Sequence, residues 1–530
     1  MQRTDLSRSS LLLAYLLSAC TTAPSDLSPV DSSALHGRHP GHHGPQADML
    51  TIPTGDPTDL SVATTPPTQP PPTGGAFSAS SLDPTSGPAG SFVTVVGAGF
   101  QAGDTVQLSG SALTTTLLAT VSLASSAIVV ALPPGLPASD ARLKVVRGAS
   151  AIPAAGLPFS ITKGNVYYVS PSGNDSAAGT KAAPWRTIAG AAGRMAPGDV
   201  AYLRDGTYPD RATIKASGTA SALLSFFGYP GEKPLLTNTS GISLSLTGAY
   251  VRVDHLRFTN TTQSAAVAIV AGAHDIHLTN CEIFNAGTSG LFVSGDNNEV
   301  SGNWIHNNGS RAALDHGMYV EGANNLIRGN RINDNWAYGI QLYNGYGRTA
   351  GGNIVELNYI YHNGYGSPTD DFSRYNSAII VAGAQPDTII RYNRLCANMH
   401  FAVYITDSET GTQLTGNLSC YNPGGAFFLE AAGRTTLSGN VSYNDGGYAL
   451  MGVTQVTSDQ NTFYRAASPP MFQWNGKTDT FAQYRNASGQ DAHSTLDDPH
   501  VKSVSATAFD PAQALTYDLC TPLIPQLCAQ

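Results

Sequence analysis

The feature that most constrains this chain is a short motif that returns on a regular step. Asn303-Trp304-Ile305, Asn330-Arg331-Ile332, Asn358-Tyr359-Ile360, Asn393-Arg394-Leu395, Asn417-Leu418-Ser419 and Asn440-Val441-Ser442 recur at intervals of 27, 28, 35, 24 and 23 residues. A period in the twenties, with short strands and one Asn per turn, is the pattern of a parallel β-helix. One such coil cannot bury its own interior and is stable only against neighbours that share it. The Asn side chains can hydrogen-bond up and down the stack, and Asn tolerates the left-handed conformation that tight corners need. They read as structural. From about residue 165 to 480, at about 25 residues per coil, the chain makes about 12 coils, a rod of about 60 Å at ~4.8 Å per step.

The same alignment places Cys396 and Cys420 three residues after their Asn. They face each other across one coil step, a separation that a disulfide can bridge; two packed thiols are the alternative. Cys520 and Cys528 flank a short tail loop and could pair as well, which leaves Cys281 as a buried thiol. Only 12% of residues are charged and the net charge is −9, so nothing marks a nucleic-acid protein. An anionic ligand would have to be met by local Arg or by a metal.

The first residues carry Arg3 and Arg8, then the apolar run Leu11 to Leu17. That run is too short to span a bilayer and suits a signal h-region. Leu17-Ser18-Ala19-Cys20 resembles a bacterial lipobox. The resemblance implies cleavage before Cys20, lipid on its thiol and membrane attachment, with Thr21 suiting the outer membrane or cell surface of a Gram-negative bacterium. Residues 21–76, including Pro70-Pro71-Pro72-Thr73-Gly74-Gly75, are too poor in large apolar groups to fold and read as a tether. His36, His39, His42 and His43 lie in it without the fixed geometry a metal needs.

Residues 77–162 alternate short apolar runs with Gly and Pro clusters, as a β-sandwich does. Pro84-Thr85-Ser86-Gly87-Pro88-Ala89-Gly90, then Val93-Thr94-Val95 and Gly97-Ala98-Gly99-Phe100, resembles the start of an IPT/TIG immunoglobulin-like domain, which implies a spacer or binding module. From 163 to 500 the character changes. Val166-Tyr167-Tyr168-Val169, the turn Ser172-Gly173-Asn174-Asp175 and Pro184-Trp185-Arg186-Thr187-Ile188 lead into a short Ala-rich helix. This order resembles the N-terminal cap of secreted β-helix polysaccharide lyases of the pectin lyase-like superfamily, and Ser494-Thr495-Leu496-Asp497-Asp498-Pro499 resembles their closing segment. Residues 501–530 form a tail. The expected fold is therefore all-β, an immunoglobulin-like sandwich followed by a right-handed parallel β-helix.

A further strand of each coil aligns through a small residue: Gly290-Leu291-Phe292-Val293, Gly317-Met318-Tyr319-Val320, Gly339-Ile340-Gln341-Leu342, Ala378-Ile379-Ile380-Val381, Ala402-Val403-Tyr404-Ile405 and Ala426-Phe427-Phe428-Leu429. Alternation along a strand sends Phe292, Tyr319, Gln341, Ile380, Tyr404 and Phe428 outward together. Such a stripe is either a packing ladder or a platform for sugar rings. Asp315-His316 immediately precede it, and Glu321, Tyr338 and Tyr343 fall within one coil spacing. A uronate lyase must take the C5 proton, neutralise the carboxylate and protonate the leaving oxygen. His316 and Tyr319 can serve as base and acid with Asp315 orienting the imidazole, and Arg374 can hold the carboxylate. Glu321, Gln341, Tyr343 and Tyr404 are candidate substrate contacts. Asp370 and Asp371, in the insertion Tyr365 to Tyr375, could supply oxygen ligands to Ca²⁺.

No lysine occurs between Lys233 and Lys477. The central coils thus lack the lysine base of the calcium-dependent lyases that the cap resembles, and a lysine could act only near Lys215. The leading expectation is a surface polysaccharide lyase on a uronic-acid polymer of the pectate or alginate type. The alternatives are a glycoside hydrolase using carboxylates from Asp315, Asp370, Asp371, Asp407 or Glu409, a C5-epimerase, and a non-catalytic glycan-binding or adhesin rod.

Overall fold

The computed structural model describes residues 76–499 and 501, apart from 261, 311–314, 344–349, 366–375, 384, 407–410, 431–432 and 453–454. The structure is all-β, a sandwich-like domain followed by a right-handed parallel β-helix. Ser78–Asp83 to Ser150–Thr162 supply eight strands in one folded sheet. The long strand Leu113–Ala124 pairs with Thr105–Gly110 along one part and with Ala127–Ala131 along the other, so it carries the sheet round the corner. Val93, Val95, Val106, Leu108, Ile128, Val130 and Leu143 are buried between the faces, which is the alternation visible in the sequence.

The coils then stack as three sheets that hold, among the described residues, 12, 11 and 12 strands, all parallel except the last strand of the third, Lys477–Asp479, which turns back antiparallel. Sheet 1 runs from Val166–Val169 to Thr457–Asp459, sheet 2 from Thr207–Tyr208 to Thr462–Tyr464, and sheet 3 from Ala212–Ile214 to Lys477–Asp479. Most coils send an apolar residue inward from each sheet, so Ile305, Ile332, Ile360 and Leu395 form one file and Leu291, Met318, Ile340 and Ile379 another, whereas Ser419 and Ser442 continue the first file and both donate to buried Asp445. Cys281 is buried as a free thiol, and Cys396 and Cys420 are paired in register and joined by a disulfide.

The Asn motif sits at the corner between sheets 1 and 2, which takes only two residues in each coil from Asp254 onward. The amide of Asn303 donates to Asn330, Asn330 to Asn358, Asn358 to Asn393, Asn393 to Asn417 and Asn417 to Asn440, at 3.0 Å each. Each acceptor oxygen also takes the backbone N–H of the residue below it. One expectation needs correcting. The left-handed residue is not the ladder Asn but the one before it: Gly302, Gly329, Leu357, Tyr392, Gly416 and Gly439 have φ between 56° and 66°. That residue turns the chain, and the turn aims the following amide into the stack.

Two more ladders stand at the other corners. Asn308, Asn335, Asn363, Asn398 and Asn422 link between sheets 2 and 3 and end on Asp445. Asn298, Asn325 and Asn353 stand between sheets 3 and 1.

Both ends of the coil stack are covered. Helix α1 (Ile188–Ala192) is capped by Thr187, whose hydroxyl accepts from the Gly190 N–H, while Asp175 accepts from the Thr187 N–H and hydroxyl. Ile188, Ala191 and Ala192 are buried against the first coil, and Trp185 stacks on Tyr167. At the other end, helix α2 (Phe481–Ser488) begins with a capping box between Thr480 and Gln483. Its fully buried Tyr484 stacks on Phe472 and donates to Asp491 at 2.7 Å. Ser494 closes the first Asn ladder by accepting from the Asn461 N–H.

The sandwich packs directly on sheet 1. The Phe92 N–H donates to the Tyr202 hydroxyl at 2.8 Å, and Arg252 bridges Asp83 of the sandwich (2.6 Å) and Asp254 of the coil (2.5 Å). Around them Phe92, Tyr168, Tyr202, Phe227 and Tyr229 form a separate apolar cluster.

Candidate functional site

Connection lengths decide which face of the coil can form a groove. From Asp254 onward sheet 1 passes to sheet 2 through two residues each time, too few to build a wall; only the first two passages, 204–206 and 229–234, are longer. The connections on either side of sheet 3 are longer: 307–317 and 362–378 enter it, and 344–353 and 406–412 leave it. Loops on a rigid scaffold are where binding groups collect, so sheet 3 is the floor of the candidate groove.

The expected outward stripe is in register there. Phe292, Tyr319, Gln341, Ile380, Tyr404 and Phe428 stand one above the other, opposite the buried inward files. Phe292 stacks on Tyr319 with centroids 5.2 Å apart, and Tyr404 on Phe428 at 4.8 Å. Phe292, Tyr319, Gln341 and Phe428 are half-buried, whereas Ile380 and Tyr404 are buried and pack with Tyr338 and Ala382.

The structure brings His316, Tyr319, Tyr338 and Tyr343 together. The His316 ring lies 5.8 Å from that of Tyr319 and 5.2 Å from that of Tyr338, and Tyr343 meets Tyr319 edge-on at 6.4 Å. His316 is 1% exposed, and its Nδ1 has no hydrogen-bond partner among the described residues. Burial without polar compensation pushes it down to about 3, so the imidazole is neutral. Asp315 is buried beside it and accepts the Ser310 N–H at 2.7 Å, while the Ser289 hydroxyl accepts the His316 N–H at 3.1 Å. Glu321 is buried at the far end of the same strand and accepts from the Ser294 hydroxyl at 2.9 Å.

Tyr404 is three coils from Tyr319 and donates to Glu430, which also accepts from Thr406 at 3.0 Å. Glu430 was not anticipated, although it directly follows the aligned strand Gly425–Leu429 and could have been found from that register. Lys215 lies at the end of the first strand of sheet 3 and is exposed. It is four coil steps from Tyr319, about 19 Å. Arg374, Asp370, Asp371, Asp407 and Glu409 lie outside the described residues, as do Cys20, Cys520 and Cys528. Among the described residues no three His, Cys, Asp or Glu side chains converge as a metal centre requires.

Two family models match parts of this chain. Residues 167–377 match the Pel9A-like right-handed β-helix family. Residues 78–161 match the IPT/TIG domain. A stretch of 71 residues is 44% identical to the pectate lyase PEL9 of Emericella nidulans, covering 13% of this chain and 17% of that protein. A stretch of 159 residues is 26% identical to the protein YwoF of Bacillus subtilis, covering 29% of this chain and 30% of that one. The chain thus spans less than a third of either relative.

Among solved structures, the chain is similar to pectate lyase Pel9A (14% identity, 66% of this chain and 91% of that chain, TM-score 0.46). It is also similar to an alginate lyase of Paenibacillus sp. FPU-7 (19% identity, 58% and 98%, TM-score 0.42) and to a rhamnogalacturonan lyase (16%, 66% and 92%, TM-score 0.45).

Proposed function

We propose that the protein is a polysaccharide lyase that cleaves a uronic-acid polymer of the pectate or alginate type in the groove over sheet 3. The observation that carries this reading is the half-exposed Tyr319 at the centre of that groove, inside the segment that matches the Pel9A-like family. In β-elimination a base takes the C5 proton and its electron pair forms the C4–C5 double bond. The C4–O4 bond breaks, and the leaving oxygen takes a proton. Tyr319 is placed to exchange a proton with a polymer lying on the stripe. His316, neutral and weakly basic in its buried position, packs behind Tyr319 and positions it. Gln341 and Tyr343 contact the sugar from the next coil, and Arg374 is our candidate for the carboxylate.

The test is incubation with polygalacturonate and alginate, followed by absorbance of unsaturated ends near 235 nm and by product size. Wild type releases absorbing products, and Tyr319→Phe loses on the order of 10²–10⁴-fold in rate. Full release by Tyr319→Phe would remove Tyr319 from the mechanism. Shortening of the polymer without absorbance would favour a hydrolase.

The lipobox-like Cys20 supports a further part of the reading, anchoring at a bacterial surface. Fatty-acid labelling in a bacterial host is expected to mark the wild-type chain and not Cys20→Ala. Equal labelling of both excludes Cys20 as the anchor.

A further inference from the structure

The sandwich packs on sheet 1, and the chemistry of the groove over sheet 3 leaves it without a task. Where the sandwich meets the coil a cleft of about 430 Å³ opens. That is within the ~300–1,000 Å³ of small-molecule sites, which collect where domains meet. Thr85, Ser86 and Thr162 line it from the sandwich, and Ser225, Tyr250 and Asp275 line it from three successive strands of sheet 1. The walls are fixed without a ligand, because the Phe92 N–H donates to the Tyr202 hydroxyl and Arg252 bridges Asp83 and Asp254. A site set in advance loses little freedom when it is filled.

The hydroxyls in this cleft are the unusual feature. Those of Thr85, Ser86, Thr162, Ser225 and Tyr250 make no hydrogen bond with any described residue. Ser225 is only 6% exposed, so its hydroxyl is a buried polar group that the protein itself does not satisfy. A hydroxyl both donates and accepts. Several of them around one cleft suit a ligand that carries hydroxyls at short intervals, and the Tyr250 ring adds an apolar surface for its C–H groups.

Charge narrows the ligand further. Arg252 and His277 line the cleft, and both are held by carboxylates: Arg252 by Asp83 and Asp254, and His277 by Glu299 at 2.8 Å. Asp275 adds another acid to the lining. An acidic sugar finds no spare cation there, whereas a neutral one needs none.

We propose that the cleft between the sandwich and sheet 1 is a binding site for a short stretch of neutral glycan. Its role rests on the lyase reading above: the cleft holds a neutral branch or neighbouring chain while the groove over sheet 3 works on the acidic one.

The test is native electrophoresis of the full chain through gels containing arabinan, galactan, mannan or polygalacturonate, with folding of each variant checked by thermal unfolding. Wild type and Tyr319→Phe are expected to be retarded alike by at least one of the three neutral polymers. Tyr250→Asn removes the ring and tolerates the φ of 56° found there. It is expected to weaken that retardation about 3- to 10-fold, the worth of one ring contact. Ala220→Ile adds bulk to the lining and is expected to weaken it as well. Ala220 is exposed, so this variant carries the test if Tyr250→Asn does not fold. Wild-type retardation of both variants overturns the site, and so does the absence of retardation by all three neutral polymers. Retardation by polygalacturonate alone, lost in the two variants, overturns it too, because the ligand would then be acidic. Cleft-dependent retardation without unsaturated products from polygalacturonate or alginate defeats the lyase reading and leaves the site standing; products with wild-type retardation of both variants do the reverse.

Discussion

Between pH 6.5 and about 3 the folded protein is expected to lose several kcal/mol of stability through His316 alone. In the unfolded chain this imidazole takes up a proton near pH 6.5. In the folded chain burial pushes that value down to about 3, with no hydrogen bond to Nδ1 among the described residues. A depressed value means that the unfolded state binds the proton first. The contribution of His316 is therefore complete above pH 6.5 and is lost as the pH falls through the window to about 3. At 1.36 kcal/mol per pH unit the ceiling is about 5 kcal/mol. Urea midpoints of wild type and His316→Gln, compared from pH 7 to pH 4, check this. The wild-type midpoint should fall more steeply. Parallel slopes would mean that His316 titrates as an exposed group, and it would then be available as a base in the groove. If it is as buried as the structure has it, the pH–rate profile above pH 5 should show no inflection from His316, and the inflections that appear belong to other groups.

Asn358→Leu is expected to be the most damaging single substitution in the coil that leaves the groove untouched. Asn358 accepts from the backbone N–H and side chain of Asn330, and donates to the Asn393 oxygen and to the Ile327 carbonyl at 2.9 to 3.0 Å. A Leu of similar volume satisfies none of these, and all are buried. Stranding a buried donor or acceptor costs about 1–3 kcal/mol, so the loss should be about 3–6 kcal/mol. The damage is local at first, because each coil touches only its neighbours. Hydrogen exchange should show lost protection at the Asn330 N–H and at the strands of that coil before the ends are affected. A variant within 1 kcal/mol of wild type would show that the ladder records the geometry of the stack without stabilising it.

The two predictions draw on different kinds of sequence information. The Asn ladder was legible because a corner repeated in every coil leaves a repeated residue. The ladder between sheets 2 and 3 stands five residues after the first in each coil and repeats on the same steps of 27, 28, 35 and 24 residues, so it was equally legible; the one between sheets 3 and 1 passes from Asn353 to Gln385, which breaks its pattern. The left-handed residue was assigned one place too late, since Gly, Leu and Tyr all occupy that position and only the following Asn is constant. Glu430 directly follows an aligned strand, but its pairing with Tyr404 spans two coils and leaves no trace in the sequence. The packing of Arg331 on sheet 2 could not be read at all. Its ring neighbours, Trp304 and Tyr361, lie about 30 residues away on adjacent coils, and only the three-dimensional structure brings them together.

By itself the sequence determined the coil, its register and the residues that face outward together, because a solenoid copies a local pattern and a two-residue corner permits little else. The tertiary structure decided how wet each of those residues is. His316 and Tyr319 are three positions apart in the chain. One is sealed and neutral and the other reaches the groove, because burial depends on what packs over a side chain and not on the strand that carries it.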